Sequence, residues 1–264
     1  MRALCLTVDL DRDVNLQIPG RSSAGSIDRG QGNGPRFSSA EEGLSLLIDL
    51  LDEMGIKATF FAEAATLRSI GNPNLLSGHE VGIHGCEHED LTSQDEHGIR
   101  TILTGSSDAV KDILGNSPKC FRAPYMKVND EIVKMLPEIG IEIDSSYYTE
   151  MSDSLMPYRI GEGLWEMPVP EGRDTANKKI SAYLWPMHEG KRGPKDYVGM
   201  AKMMKEGAFV LATHTWHIVE SRDKGMMSKE ETANNIENVR DVLAGIMDMG
   251  FDACTLSDAK NRME

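Results

Sequence analysis

The stretch LTVDLD, residues 6–11, is an apolar strand pattern that ends in two carboxylates. On an extended backbone, Asp9 and Asp11 are two positions apart, so their side chains point to the same face. Similar apolar or β-branched runs recur along the chain, and longer amphipathic stretches separate them. This alternation is typical of strand and helix units around a parallel sheet or barrel.

Seven further runs match strands, and turn or cap signals bound them: KATFF, SGHEVGIHG, KCFRAPY, IEIDSS, GLWEMPV, GAFVLATH and GFDACTL. Between them we predict helices that begin at capping boxes at residues 39–42, 93–96 and 228–231, and another helix over 129–139. The second of these is expected to be interrupted at TGSS, residues 104–107. We therefore predict an α/β fold, a distorted, incomplete (β/α) barrel of about seven to eight strands. No repeat or linker is visible, so residues 1–264 form one predicted domain, with a long loop insertion at 12–39.

Composition restricts the classes of partner. A chain of 264 residues with 40% hydrophobic and 27% charged residues is long enough for a sizeable core. The net charge of -14 argues against nucleic acid or an anionic membrane as a partner. No run has the length of a membrane span, and acidic residues come too early for a signal peptide, so we expect a cytoplasmic protein.

If the fold is a barrel, function is expected where the strands end, at their carboxyl side. Solvated loops also collect Asp and His, which explains any one polar residue there but not the whole set. The polar side chains at or just after predicted strand ends are Asp9, Asp11, His84, His88, Arg122, Tyr125, Asp144 and His214.

The histidines of HGCEH, residues 84–88, form the strongest local pattern. Positions i and i+4 lie on the same side of a helical turn, and one carboxylate from elsewhere would complete a three-ligand metal site with an open position. The spacing alone also fits ordinary surface histidines, but the carboxylates of LTVDLD favour a metal. A competing set would use Cys86, or the close pair His214 and His217. We rank it lower because the Cys86 thiolate would point away from the common face of His84 and His88.

Four motifs, in order along nearly the whole chain, resemble those of the metal-dependent polysaccharide deacetylases, carbohydrate esterase family 4. TVDLD resembles the first motif in the D-x-D form of one branch, HGCEH the H-x-x-x-H motif, RAPY the R-x-P-Y motif, and VLATH the last motif. The family includes chitooligosaccharide and peptidoglycan N-deacetylases. The resemblance implies a distorted (β/α) barrel and a hydrolase that acts on carbon–nitrogen bonds other than peptide bonds.

The same resemblance implies one divalent metal ion, bound by Asp11, His84 and His88. Zinc is the favoured ion. Cobalt, nickel and iron are also compatible with two histidines and one carboxylate.

The resemblance further implies Asp9 as general base, Arg122 as the group that orients it, His214 as general acid, and the backbone N–H of Tyr125 in the oxyanion hole. Amide hydrolysis needs these roles independently. A carboxylate must remove a proton from the attacking water, donors must meet the oxyanion, and the departing amine must be protonated.

Three positions are expected to contribute to substrate binding: Tyr125, Leu211 and Asp144. The family's last motif has its leucine two residues before the histidine, where it lines the acyl pocket, whereas Leu211 lies three before His214. Asp144 is either a group that supports the acid histidine or a cap at a strand end, and the sequence leaves both interpretations open.

The functional hypothesis is a metal-dependent hydrolase that removes an acyl group from the amide nitrogen of an amino sugar or a related small N-acyl compound. One alternative is a hydrolase of a formamide or cyclic ureide on the same scaffold, and another is a catalytically inactive binding module. A homo-oligomer is compatible with the sequence. The segment Arg12–Ser39 leaves the barrel at the catalytic face, so it is expected to be a lid, a subunit contact or a disordered loop.

Overall fold

The main sheet is built from short strands around one long central pair. The computed structural model describes residues 1–11, 37–152, 154–222 and 224–264, so the predicted loop insertion lies outside the described residues except for its last three. The strands, in chain order, are β1 (Arg2–Leu10), β2 (Thr59–Ala62), β3 (Glu80–Ile83), β4 (Cys120–Phe121), β5 (Ile143–Asp144), β6 (Tyr148–Glu150), β7 (Ser154–Leu155), β8 (Tyr158–Gly161), β9 (Leu164–Glu166), β10 (Val169–Arg173), β11 (Lys179–Ser181), β12 (Glu206–His214), β13 (Glu220–Ser221), β14 (Gly225–Met226) and β15 (Asp252–Ala253).

Nine of these strands follow one path, in the order β7-β12-β1-β2-β3-β4-β5-β9-β8, and β15 pairs with β1 off this path. Neighbours along the path are parallel except β8 and β9, which are antiparallel. The result is an open, curled sheet, which confirms the predicted distorted, incomplete (β/α) barrel. It has more strands than predicted because β7 and β8 lie in a stretch where no strand was expected. Two small sheets, β11-β10-β6 and β13-β14, stand beside it.

The helices follow the strands along the chain: α1 (Ser38–Met54), α2 (Ala64–Ser69), α3 (Glu96–Leu114), α4 (Asp130–Glu138), α5 (Trp185–His188), α6 (Pro194–Ala201), α7 (Lys229–Met247) and α8 (Leu256–Met263). The longer ones are amphipathic. In α1 the buried residues include Leu44, Leu47, Ile48 and Leu51, a helical spacing that places one apolar face on the core. Among the described residues, no helix is long and apolar enough to cross a membrane.

The predicted helix caps are confirmed in part. The box at α7 forms, with the Ser228 hydroxyl accepting from the Glu231 N–H and the Glu231 carboxylate accepting in return. The box predicted at residues 39–42 is wrong, because α1 already begins at Ser38 and the Ser39 hydroxyl donates to Glu220 instead, at 2.7 Å. At α3 the cap is Asp95, which accepts from the Gly98 N–H at 2.8 Å.

The predicted interruption of α3 at TGSS is also wrong, since the helix is continuous there. Small residues serve close packing at this point. A Cβ on Gly105 would lie 3.3 Å from the sulfur of Cys86, and the Ser106 hydroxyl donates to the Gly85 carbonyl at 2.9 Å. The small side chains thus bring α3 against the loop that carries the two histidines.

A second close approach fixes α1 beside the end of β12. A Cβ on Gly43 would lie 1.9 Å from the carbonyl oxygen of Thr215, so only glycine fits without a shift of the backbone. The Thr215 N–H donates to the Asp9 carbonyl at 3.1 Å. Helix α1 is therefore packed directly on the turn that follows His214.

Candidate metal and catalytic site

The polar residues predicted at strand ends meet at one edge of the sheet. Because β1, β3, β4 and β12 are parallel, their carboxyl ends lie on the same side. Asp9 is the register partner of His214 across β1 and β12, and His84 and Arg122 directly follow the paired residues of β3 and β4. The sequence therefore brings the motif residues together through strand register.

Three side chains form a candidate metal centre: Asp11, His84 and His88. Each offers one ligand atom, and these atoms all lie within 4.8 Å of one another. All three residues are buried, and the Nε2 of His88 is 3.3 Å from a carboxylate oxygen of Asp11. Two imidazoles and one carboxylate are a donor set that suits a divalent ion such as zinc.

The tautomer of His84 fits metal binding. Its Nδ1 lies 2.8 Å from the carbonyl oxygen of Arg122, which can only accept a hydrogen bond. Nδ1 therefore carries the hydrogen and Nε2 is left with its lone pair. A hydrogen bond of this kind on the second ring nitrogen is the usual way in which a metal-binding histidine is oriented.

The helical turn predicted for HGCEH is wrong. Gly85 and His88 have φ values of 77° and 58°, in the left-handed region, so the segment is a sharply bent loop. The loop still brings the two histidine rings together, edge to face, with centroids 5.0 Å apart. The His88 ring also packs on Tyr125, with centroids 4.5 Å apart.

Cys86 and His217, which belong to the competing ligand set, have other partners. The thiol of Cys86 donates to the carbonyl of Ile102 in α3 at 3.2 Å, and burial raises its pKa to about 11. His217 pairs through Nε2 with Glu189 at 2.8 Å.

Asp9 lies beside the candidate metal centre and pairs with a fully buried arginine. The Nη1 of Arg122 donates to Asp9 Oδ1 at 3.0 Å. The same guanidinium donates to the carbonyl and to the hydroxyl of Ser145, at 2.8 and 2.9 Å, and stacks over the Phe61 ring. Arg122 is therefore held on several sides and cannot turn away from the carboxylate.

The second oxygen of Asp9 faces the histidines. Its Oδ2 accepts from the hydroxyl of Tyr183 and lies 4.0 Å from the Nε2 of both His84 and His214. Burial alone would raise the pKa of Asp9, but the charge of Arg122, the two histidines and the Tyr183 hydrogen bond outweigh it and lower the pKa to about 2. Asp9 is therefore ionised at neutral pH.

His214 lies among aromatic rings. Tyr183 and Trp185 contact it, with ring centroids at 5.1 and 5.4 Å, and the Tyr183 hydroxyl is 3.3 Å from its Nε2. Burial lowers the pKa of His214 to about 3. Its Nδ1 has no hydrogen-bond partner within the described part of the chain. No carboxylate in that part therefore holds the far nitrogen of this ring.

These groups open into a cavity of about 290 Å³. Asp9, His84, His88 and His214 line its floor. Aromatic side chains form much of its wall: Tyr125, Tyr148, Tyr183 and Trp185. Tyr125 and Met126 both have left-handed backbones, with φ values of 61° and 58°, a strained conformation that is common at functional sites.

Leu211, predicted to bind substrate, does not line this cavity. Side chains alternate along a strand, so a residue three positions before His214 points to the opposite face of β12. Leu211 is fully buried in the core.

Asp144 does not line the cavity either, and its contacts support the RAPY segment. Its Oδ1 accepts from the hydroxyl of Ser146, and that hydroxyl in turn accepts from the Ala123 N–H at 2.8 Å. Asp144 is the register partner of Glu166 on β9. Burial raises its pKa to about 7.

Comparison with known proteins shows similarity to polysaccharide deacetylases. Residues 27–143 match the family model for polysaccharide deacetylase. The chain is 25% identical over 196 residues to the peptidoglycan deacetylase of Helicobacter pylori, covering 67% of this chain and 65% of that protein. It is 35% identical over 101 residues to chitin deacetylase 1 of Cryptococcus neoformans, covering 36% of this chain and 21% of that protein. The chain thus spans about a fifth to two thirds of these relatives.

A solved structure of similar fold is that of a proposed polysaccharide deacetylase from Mycobacterium smegmatis. It superposes with a TM-score of 0.69 at 24% identity, covering 99% of this chain and 90% of that one. The likeness extends over the strands that carry Asp9, His84, Arg122 and His214, and it supports the barrel-like fold.

Proposed function

We propose that this chain, which is similar to the polysaccharide deacetylases over residues 27–143, is a metal-dependent hydrolase. It would remove an acyl group, such as acetyl, from the amide nitrogen of an amino sugar or a related small N-acyl compound. The observation that carries the proposal is the convergence of Asp11, His84 and His88 beside an ionised Asp9 that is paired with Arg122. The substrate is proposed to be a small molecule, in keeping with the size of the cavity.

Asp11, His84 and His88 would hold the ion, for which zinc is the proposed identity. A divalent ion there supplies a Lewis acid and lowers the pKa of a bound water. The hydrogen bond from His84 Nδ1 to the Arg122 carbonyl would keep Nε2 directed at the ion.

Asp9 would act as the general base. It has no place among the three clustered ligand residues, and its Oδ2 faces the interior of the site. Arg122 would keep Asp9 ionised and fix its orientation through Oδ1. A carboxylate in this position can remove the proton of the attacking water.

His214 would protonate the departing amine, which is a poor leaving group as an anion. Its Nε2 is directed at the site, 4.0 Å from Asp9 Oδ2. The backbone N–H of Tyr125 is proposed to donate to the oxyanion, from a loop whose left-handed backbone is already strained.

The metal is tested first. Protein purified without chelator should contain one divalent ion per chain by elemental analysis, and Asp11→Ala or His84→Ala should lose it. Stoichiometric metal in the double variant would contradict the ligand assignment.

Catalysis is tested with Asp9→Asn and His214→Ala. Both should keep the ion and lower the turnover number roughly 10²-fold or more, the scale expected for a lost general base or acid. If Asp9→Asn lost the ion and Asp11→Asn kept it, the roles of the two carboxylates would be exchanged.

The substrate is tested by amine release from N-acetyl and N-formyl sugars, longer oligomers and cyclic ureides. We expect the highest kcat/KM with a small N-acetyl amino sugar. Preference for a formamide or ureide would favour the alternative hydrolase, and metal binding without turnover of any of them would favour a binding module.

A further inference from the structure

One buried hydroxyl lies between the two groups proposed to move protons. The Tyr183 hydroxyl donates to Asp9 Oδ2 and is 3.3 Å from the Nε2 of His214. Sequence analysis assigned Tyr183 no role. Its side chain is nearly inaccessible to solvent, with the residue 8% exposed.

The backbone of Tyr183 is fixed by its neighbours. Ala212 on β12 donates to the carbonyl of Ala182 at 2.8 Å and accepts from the Leu184 N–H at 2.7 Å, so the segment is clamped along the strand that carries His214. The hydroxyl of Tyr197 donates to the Tyr183 carbonyl at 3.2 Å. Tyr183 thus has a defined position relative to the end of β12.

The direction of the hydrogen bonds follows from the donor inventory. The Tyr183 hydroxyl donates to a carboxylate oxygen, so the tyrosine hydrogen is directed at Asp9 Oδ2. The lone pairs of the tyrosine oxygen then face the Nε2 of His214. The Tyr183 hydroxyl can therefore hydrogen-bond to Asp9 and His214 at the same time, while Asp9 Oδ2 and His214 Nε2 stay 4.0 Å apart.

We propose that Tyr183 is a positioning residue that keeps the base and the acid from pairing with each other. The proposal rests on the function proposed above for Asp9 and His214. Without the hydroxyl, His214 Nε2–H, 4.0 Å from Asp9 Oδ2, can take its place. His84 Nε2 is equally distant, but its hydrogen is on Nδ1. A direct contact would occupy the oxygen that must take a proton and the nitrogen that must give one.

Arg122 cannot prevent this contact, because it binds the other carboxylate oxygen, Oδ1. Arg122 and Tyr183 therefore have separate tasks. Arg122 fixes one oxygen of Asp9, and Tyr183 keeps the second oxygen apart from the imidazole while holding both side chains in place.

The test is Tyr183→Phe, which removes the hydroxyl and retains the ring. In its crystal structure we expect the distance from Asp9 Oδ2 to His214 Nε2 to fall from 4.0 Å to hydrogen-bonding range. We expect kcat for an N-acetyl amino sugar to fall roughly 10²-fold, the lower end of what acid and base groups contribute, with KM changed by less than about twofold. Metal content and melting temperature should remain close to those of the wild type.

Tyr158→Phe is the control. It also removes one tyrosine hydroxyl, but Tyr158 lies on β8, is exposed and does not line the cavity. It should leave the separation of Asp9 and His214 unchanged.

An Asp9–His214 distance that stays near 4.0 Å in Tyr183→Phe would overturn the proposal, and so would an unchanged kcat. A variant that loses metal or unfolds early would show a structural role instead. If the wild type hydrolyses no N-acyl compound, the proposed function fails. The distance between Asp9 Oδ2 and His214 Nε2 in Tyr183→Phe still tests whether Tyr183 keeps the two side chains apart.

Discussion

Replacing Gly43 by alanine tests how the packing of α1 supports the site. The added Cβ would lie 1.9 Å from the oxygen and 2.7 Å from the carbon of the Thr215 carbonyl. Both atoms belong to the backbone, so no side-chain rotation relieves the overlap, and either α1 or the turn after β12 must move. The N–H of Thr215 is bonded to the Asp9 carbonyl, which carries the displacement into the site.

Two effects of opposite sign determine how much Gly43→Ala changes the free energy of unfolding. Alanine is favoured over glycine in a helix by up to about 1 kcal/mol. Overpacking costs about 1–3 kcal/mol, and a contact this short with rigid backbone belongs at the upper end. We expect a net loss of about 2 kcal/mol, which corresponds to a melting temperature lower by roughly 4–8 °C for a chain of this size.

The matched control is Gly199→Ala in α6, where a Cβ would have no atom within 4 Å. There only the helix preference acts, so the melting temperature should stay the same or rise slightly. Thermal unfolding followed by circular dichroism measures both variants, and amine release measures their activity. We expect Gly43→Ala to lose activity and Gly199→Ala to retain it. A Gly43→Ala protein that melts at or above the temperature of Gly199→Ala would refute the packing argument.

Three further predictions concern groups around the site. Burial raises the pKa of Asp144 from its ordinary 3.8 to about 7, so its contribution to stability is fully present below about pH 4 and is lost as the pH rises through 7. The variant Asp144→Asn cannot ionise. Its melting temperature should therefore exceed that of the wild type by more at pH 8 than at pH 5. An equal difference at the two pH values would contradict the prediction. Ser145→Ala removes one hydrogen bond of Arg122 and should lower kcat about tenfold, since a hydrogen bond to a charged group contributes roughly 1.5–3 kcal/mol, while elemental analysis finds the metal retained. Cys86→Ser should leave metal content unchanged because the thiol is directed at α3, and a loss of metal would restore the competing ligand set.

The strand ends could be predicted well from the sequence because the apolar run and the polar residue that ends it are both local features. An apolar run that ends in a polar residue specifies a strand and its carboxyl end, and parallel register then places Asp9 opposite His214. The barrel-like fold followed from such patterns, whereas the set of Asp11, His84 and His88 was implied by the resemblance to the polysaccharide deacetylases.

The failures have tertiary causes. The left-handed backbone of His88 has no signal in its own side chain, and packing imposes it. The small residues 104–107 in α3 resemble a helix break until their contact with the histidine loop is known. Tyr183 reaches the site through one isolated bridge to Ala212, without a strand pattern that would have pointed to it.

The central position of β1 has a consequence for the order in which the protein assembles during synthesis. Asp11, His84 and His88 all precede residue 89, and β1, β2 and β3 are adjacent in that order, so the ribosome delivers the whole proposed ligand set early. The longest partner of β1 is β12, about 200 residues later, and pairing at such a separation is slow. Until β12 arrives, β1 presents a long unpaired apolar edge to other nascent chains, which is a known route to aggregation. Early occupation of the proposed metal centre would hold the first three strands together over this interval, before His214 has been made.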